Sequence, residues 1–239
     1  MRHRSDAGRV VHPVPTTWLL LMLMLSAERL PSQASAVVDA ATFMIAKKGA
    51  PVGRESFQIV RAPGPGGQVY RVTSTSAVGE TKLEATLTTD STGAPVSYVA
   101  QVSQRGATIQ RVDGSGRPDR FSVMVRSRGG ESAREYVVRR GTILLEDDVV
   151  NQYYFVLRAA VDSQITMISP RTAQQDRLRV EDMGLESVTI ASKPLPARRW
   201  GLVDARGLRR ELWVDAQGRL LKISVPDRAM TAVRDDPPR

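Results

Sequence analysis

The stretch Lys82-Leu83-Glu84-Ala85-Thr86-Leu87-Thr88 decides the fold class of this chain. Polar and apolar residues alternate along it. Because successive side chains of a β-strand point to opposite faces, Leu83, Ala85 and Leu87 share one face. The stretch therefore predicts a strand with one buried and one exposed face. The same alternation recurs at short intervals, at Phe57 and Ile59, at Tyr70 and Val72, at Tyr98, Ala100 and Val102, at Phe121, Val123 and Val125, and at Leu221, Ile223 and Val225.

Short turns separate these predicted strands. Four of them read Asp-x-x-Gly and begin at Asp90, Asp113, Asp204 and Asp215. Asp suits the first position of a type I turn and Gly tolerates a positive φ, so each motif predicts a hairpin tip between antiparallel strands. An open sheet of about ten to fourteen strands tends to curl. The predicted fold class is therefore mainly β, a single curved antiparallel sheet that forms a half-barrel or incomplete barrel.

One segment departs from the alternation. Between residues 149 and 161 the apolar positions fall on one helical stripe, which predicts the one main helix of the protein. Phe155 and Val156 lie off this stripe, so the helix is expected to be buried between surfaces or to face a cavity. Asp147 and Asp148 precede the helix, and we expect them to cap its N-terminus.

The first 36 residues have the features of a secretory leader. Arginines precede an apolar run at 18–25, and Ala34-Ser35-Ala36 is a signal peptidase motif. The run is shorter than the roughly 20 residues that a membrane-spanning helix needs. We expect residues 1–36 to be a cleaved signal peptide and residues 37–239 to be a single β-rich domain with a short disordered C-terminal tail. The expected location is periplasmic or secreted.

The composition excludes most catalytic chemistry. The chain has 239 residues, no cysteine and two histidines, His3 and His12, both within the predicted leader. Serine and cysteine nucleophiles activated by histidine, His-ligated metals, thiol redox chemistry and c-type haem all lack their residues. None of the five lysines stands three residues after a serine, which also disfavours serine-lysine catalysis. We predict no enzymatic activity, no catalytic residue, no metal and no cofactor.

One enzyme class stays open as an alternative. Glu146, Asp147 and Asp148 form the densest cluster of acids, and glycoside hydrolysis requires only two carboxyl groups at a defined separation. Capping of the predicted helix explains the same residues. A carboxylate-dependent hydrolase is therefore the third of three hypotheses.

The chain is basic, with 34 Lys and Arg against 25 Asp and Glu and a net charge of +9. Its arginines come as scattered pairs, such as Arg139-Arg140 and Arg198-Arg199, and aromatic residues make up only 5%. This pattern disfavours nucleic acid as a partner, because single-stranded nucleic acid needs stacking platforms. A positive surface also suits the head groups of an anionic membrane, which we keep as a possible partner.

The C-terminal hairpin pattern Glu211-Leu212-Trp213-Val214-Asp215, followed by Gly218-Arg219-Leu220-Leu221-Lys222-Ile223, resembles that of exported bacterial β-rich proteins of unknown function. Those proteins are loosely similar to Lol-type lipoprotein carriers. Together with Gly49-Ala50-Pro51-Val52-Gly53, Glu55 and Phe57 near the start of the domain, the resemblance spans most of residues 41–234 in layout. It implies an open β half-barrel with a helix in its mouth, a hydrophobic cavity, and binding rather than catalysis.

The predicted helix carries the candidate ligand-binding residues: Tyr153, Tyr154, Phe155, Leu157 and Arg158. Its aromatic side chains are expected to line a pocket beneath the sheet, with Arg158 at the rim facing an acidic head group. The leading hypothesis is a non-enzymatic periplasmic binding or carrier protein for an apolar or amphipathic, lipid-like ligand. The alternative is an envelope protein-interaction or assembly module without a small ligand, which docks through an exposed strand edge or basic face.

Overall fold

The structure, a computed structural model, describes residues 35–238. The predicted signal peptide lies outside these residues except for Ser35 and Ala36. The strands are β1 (Ala36–Lys47), β2 (Ala50–Gly64), β3 (Gly67–Val78), β4 (Thr81–Asp90), β5 (Pro95–Gln104), β6 (Ala107–Arg117), β7 (Arg120–Ser127), β8 (Gly130–Val137), β9 (Thr142–Leu144), β10 (Gln164–Ser169), β11 (Gln174–Ile190), β12 (Lys193–Val203), β13 (Arg209–Val214), β14 (Leu220–Val225) and β15 (Met230–Arg234).

All fifteen strands belong to one sheet, in the order β8-β7-β6-β5-β4-β3-β2-β1-β15-β14-β13-β12-β11-β10-β9. The edge strands β8 and β9 do not pair with each other, so the sheet is open and not closed into a barrel. This confirms the predicted mainly β fold class. One detail of the prediction is wrong: β9 and β10 pair in parallel. The chain passes from one to the other through a helix instead of a hairpin turn, which allows both strands to run the same way.

The alternating pattern identifies the inner face of the sheet correctly in most strands. Leu83, Ala85 and Leu87 are buried, and so are the paired apolar residues of β2, β3 and β5. Leu221 is an exception. A β-bulge opposite Trp213 turns Leu221 to the outer face, where both side chains pack in a second, smaller cluster with residues of the β11–β12 hairpin. A bulge adds one residue to a strand and so reverses the alternation beyond it.

Three of the four Asp-x-x-Gly motifs form hairpin tips as predicted. The carboxylate of Asp90, for example, accepts hydrogen bonds from the backbone N–H groups of Thr92 and Ala94 at 2.8 and 3.0 Å. The prediction for Asp113 is wrong, because this motif lies inside β6. Gly114 is explained by close packing, because a Cβ at this position would lie only 2.6 Å from Cζ of Phe121. The glycine makes room for a buried ring and does not form a turn.

The single main helix lies against the inner face of the sheet. It consists of a 3₁₀ segment, Val150–Phe155, followed by one α-helical turn, Val156–Ala159, so it is shorter than the predicted 149–161. We call residues 150–159 the internal helix. All six residues of its 3₁₀ segment are buried, as expected from its apolar groups on more than one side. No helix within residues 35–238 is long and apolar enough to span a membrane.

Candidate functional site

The internal helix fills the centre of the curled sheet with side chains. Tyr153 and Phe155 are at most 1% exposed, and Tyr154 is also buried. The Phe155 ring packs edge-on against the rings of Tyr70 and Tyr154, with centroids 6.1 and 5.3 Å apart. Leu157 is half-buried against the same core. The aromatic residues predicted to line a pocket therefore belong to the packed core of the structure.

Arg158 lies at the C-terminal end of the internal helix, at the surface of the protein. Its guanidinium group lies over the rings of Tyr70 and Tyr154, 5.0 and 4.7 Å from their centroids. It also donates hydrogen bonds to both phenol oxygens, at 3.1 Å to Tyr70 and 2.6 Å to Tyr154. Four of the five predicted site residues are thus grouped at this end of the helix, whereas Tyr153 lies apart. Its hydroxyl is buried near Asp147 and Arg210, and burial raises its pKa.

The opposite end of the internal helix is held by Glu55, which is not among the predicted site residues. This β2 residue is fully buried, and its carboxylate accepts hydrogen bonds from the backbone N–H groups of Val150 and Asn151 at 2.9 and 2.7 Å. The side-chain amide of Asn151 donates a third, at 2.8 Å. Burial raises the pKa of Glu55 from 4.5 to about 7, and the nearby carboxylate of Asp148 adds to this effect. The alternation in β2 could have predicted that Glu55 is buried, because it places Glu55 on the same face as Phe57 and Ile59.

The predicted capping role of Asp147 and Asp148 is wrong. The N-cap residue of the internal helix is Val149, whose side chain forms no capping hydrogen bond. Asp147 instead forms salt bridges with Arg210 at 2.6 Å and Arg228 at 3.0 Å, and Asp148 forms one with Arg171 at 2.7 Å. These salt bridges connect the segment before the helix to β13, to the turn between β14 and β15, and to the loop after β10. The carboxylates that a cap would need are therefore already paired.

Glu146, the third acid of the cluster, is buried. Its carboxylate accepts hydrogen bonds from the Ser169 hydroxyl at 2.5 Å and from the backbone N–H of Arg171 at 2.9 Å. Burial raises its pKa. Each acid of the cluster therefore has a partner that explains its position structurally. No group of three or more His, Cys, Asp or Glu side chains within residues 35–238 is placed to hold a metal ion.

A cavity of about 210 Å³ opens on the inner face at the helix end that Glu55 holds. We call it the mouth cavity. Its apolar wall comes from four strands, β1, β3, β4 and β15, which supply Ile45, Val78, Leu83 and Met230. All four strands meet at the end of the sheet where the turns after β1 and β3 lie. Gly53 of β2 pairs with both Ile45 and Val78, Val78 pairs with Thr81 of β4, and Lys47 pairs with Met230 of β15. The rest of the lining is polar: Lys47, Ser76, Thr81, Asp148 and Arg171.

The charges of the mouth cavity are arranged at its rim. Lys47 is exposed, and no ion-pair partner for it is found within residues 35–238. Arg171 is paired with Asp148, so the two cations and one carboxylate leave the rim with a net positive charge. The alternation in β4 predicted that Leu83 faces inwards, but no sequence pattern predicted that Lys47 and Arg171 lie at the same cavity. These residues lie 124 positions apart in the chain, and only the curl of the sheet brings them to one opening.

Comparisons with known proteins found a similar solved structure and a matching family model. A crystal structure described as a β-barrel-like protein of domain of unknown function DUF1849, from Brucella abortus, is similar to this chain. The two share 13% identity and a TM-score of 0.49, and the similarity covers 83% of this chain and 97% of that one. No curated protein matches this chain. The resemblance to Lol-type carriers stays a prediction.

A family model matches residues 43–234, from the middle of β1 to the last residue of β15. The matched region includes the internal helix, Glu55 and every residue of the mouth cavity. Because the match takes in most of the sequence, this chain belongs to the DUF6134 family, a domain of unknown function.

Proposed function

We propose that this chain is a non-enzymatic binding protein for a small amphipathic ligand that carries an acidic head group and a short apolar segment. The observation that carries the proposal is the mouth cavity, which joins an apolar wall of four side chains to a cationic rim. Such a combination of apolar lining and a few convergent polar groups is typical of ligand sites. The apolar segment would lie against Leu83 and Met230, and the head group would meet Lys47 beside the salt bridge between Arg171 and Asp148.

The position of the cations decides where the head group lies. Burying a lone charge costs far more than burying an apolar group, so a charged head group has to stay at the rim. Arg158, the cation that the sequence analysis favoured, already has two tyrosine hydroxyls and two ring faces as partners. For the side chain of Lys47, no hydrogen-bond, ion-pair or ring partner is found within residues 35–238, and Lys47 therefore replaces Arg158 in the proposed site.

The size of the cavity limits the ligand. Pockets for drug-sized molecules measure about 300–1,000 Å³, and the mouth cavity measures about 210 Å³. A short acyl chain fits this volume, and a longer one would extend beyond the cavity. The leader predicted at residues 1–36 supports a periplasmic or secreted location for this binding. Without the four arginines and two acids of the leader, the net charge falls from +9 to +7, which still supports contact with an anionic membrane surface.

Titration with 8-anilinonaphthalene-1-sulfonate, an amphipathic anion that fluoresces in apolar sites, tests the proposal. We expect saturable binding that decanoate displaces. Lys47→Glu reverses the charge at the rim without touching the core, and should weaken binding by about tenfold. Lys193→Glu, at the exposed start of β12, is the matched control and should bind as the wild type does.

A second pair of variants tests the apolar wall. Leu83→Trp fills the mouth cavity, whereas Thr86→Trp adds the same ring to the outer face of the same strand. Only the first should abolish binding. Equal affinities for Lys47→Glu and Lys193→Glu, or an unchanged Leu83→Trp protein, would overturn the proposed site.

A further inference from the structure

The strand β8 is an open edge of the sheet. It is eight residues long, seven of its eight residues are exposed, and among the strands of residues 35–238 it pairs only with β7. The opposite edge is different, because β9 has only three residues and all of them are buried. An open edge presents unpaired N–H and C=O groups that can bind another strand. Of the two edges, β8 is therefore the one that an extended segment can reach.

The register shows which residues of β8 face away from the sheet. Ser127 and Gly130 flank the two-residue turn between β7 and β8 and form the first pair of this hairpin. In such a hairpin the first pair exchanges backbone hydrogen bonds, and bonded and unbonded pairs then alternate. Ala133 pairs with Met124 and falls in an unbonded position, so its N–H and C=O point outwards. Its neighbours Glu131 and Glu135 share this orientation.

The charges around this edge are mainly positive. The two acids of β8 are neutralised by β7: Glu131 pairs with Arg126 at 3.0 Å and Glu135 with Arg120 at 3.5 Å. Among residues 35–238, no salt-bridge partner is found for five arginines on or near the edge, which are Arg128, Arg134, Arg139, Arg140 and Arg177.

A groove continues the edge at its C-terminal end. It has a volume of about 330 Å³ and lies between the end of β8 and strands β10 and β11, where the sheet fails to close. Its charged lining consists of Arg139, Arg177 and one carboxylate, Asp176. The side-chain amide of Gln175 donates a hydrogen bond across the groove to the carbonyl of Val137 at 2.9 Å. The edge and the groove thus form one continuous surface with an excess of cations.

We propose that β8 binds an extended acidic segment of a partner protein, which adds to the sheet as a further strand. Backbone hydrogen bonds to outward positions such as Ala133 would provide the affinity, and the arginines along the edge and groove would select acidic side chains. A second copy of this chain is a poor occupant, because two such edges would bring their arginines together. The inference does not depend on the mouth cavity, which lies on other strands.

The experiment uses a fluorescent peptide of alternating glutamate and valine, as long as the eight residues of β8. Fluorescence anisotropy should show binding of this peptide to the protein, and no binding of the same peptide with lysine in place of glutamate. Ala133→Pro removes an outward N–H without removing a bond to β7, and should weaken binding by about tenfold or more. Ala133→Ser keeps the N–H and should bind as the wild type does. Lys47→Glu, which alters the mouth cavity, should also leave peptide binding unchanged.

A measurement on the wild-type protein covers the case in which Ala133→Pro does not fold. Hydrogen exchange of the β8 amides should slow when the glutamate peptide is added. The proposal is overturned by unchanged exchange in β8, by equal affinity for the glutamate and lysine peptides, or by full binding to a folded Ala133→Pro protein. Concentration-dependent dimerisation that Ala133→Pro abolishes would also overturn it, since the occupant would then be a second copy.

Discussion

The buried carboxyl of Glu55 should make the stability of the protein depend on pH. Its pKa is about 7 in the folded chain, against 4.5 for an exposed glutamate. A raised pKa means that the folded state binds this proton more tightly than the unfolded state does. The contribution is therefore fully present below about pH 4.5, and it is lost as the pH rises through 7. At 1.36 kcal/mol per pKa unit, the loss amounts to roughly 3 kcal/mol.

The variant Glu55→Gln isolates this effect. Glutamine keeps one oxygen, which can accept the hydrogen bonds that Asn151 donates, whereas its NH2 group cannot accept the hydrogen bond of Val150. That lost hydrogen bond costs the same at every pH, and the glutamine side chain cannot ionise. Urea unfolding, followed by tryptophan fluorescence between about pH 4.5 and 8, gives the free energy of unfolding of both chains. The wild type should lose roughly 3 kcal/mol relative to the variant over this range. Glu146 also has a pKa raised by burial, but it is present in both chains and cancels in the difference.

Glu84→Gln serves as the control, because Glu84 is an exposed carboxylate on the outer face, paired with Lys82. Its pH profile should follow the wild type. The reasoning would be refuted if Glu55→Gln also followed the wild-type profile, or if the wild type gained stability relative to Glu55→Gln as the pH rose.

Three further substitutions test the packing around the sheet, each by urea unfolding at constant pH. Arg158→Ala removes two hydrogen bonds and two ring contacts at a solvent-exposed position, and should cost about 1–2 kcal/mol; no loss would mean that these contacts contribute nothing. Gly114→Val places a Cβ against Phe121 and should cost about 1–3 kcal/mol, part of which Phe121→Leu should restore. A neutral Gly114→Val would contradict the tight approach. Asp39→Asn leaves Arg234, a buried cation 2.6 Å from Asp39, without its counter-charge, and should lower the free energy of unfolding by about 3–5 kcal/mol. A loss under about 1 kcal/mol, which is typical of an exposed salt bridge, would contradict this expectation.

Local patterns were sufficient to predict the fold class and most of the inner face. Alternation identifies strands such as β4 because each of its buried residues is two positions from the next. The internal helix was also predictable, since its apolar residues have helical spacing. Leu221 was not, because a bulge reverses the face of a strand at one residue and leaves no mark in the hydrophobic pattern.

The contacts that hold the helix depend on residues far apart in sequence. Aspartate is a residue type that commonly caps helices, yet in the folded chain the carboxylate of Asp147 forms salt bridges with Arg210 and Arg228 instead. The cap comes instead from Glu55, some 95 residues earlier. The mouth cavity has the same origin, as its lining is drawn from four strands and two loops. Periodicity describes one element at a time, and so it could not predict which elements would share an opening.

Native mass spectrometry of the protein purified from cells that produce it naturally tests the central claim most directly. The account predicts a wild-type chain that carries one small amphipathic acid, which denaturation releases. A Leu83→Trp chain prepared in the same way should carry none, and a Thr86→Trp chain should carry the same acid as the wild type. A wild-type protein that is consistently empty, and that stays empty after incubation with decanoate, would contradict the account.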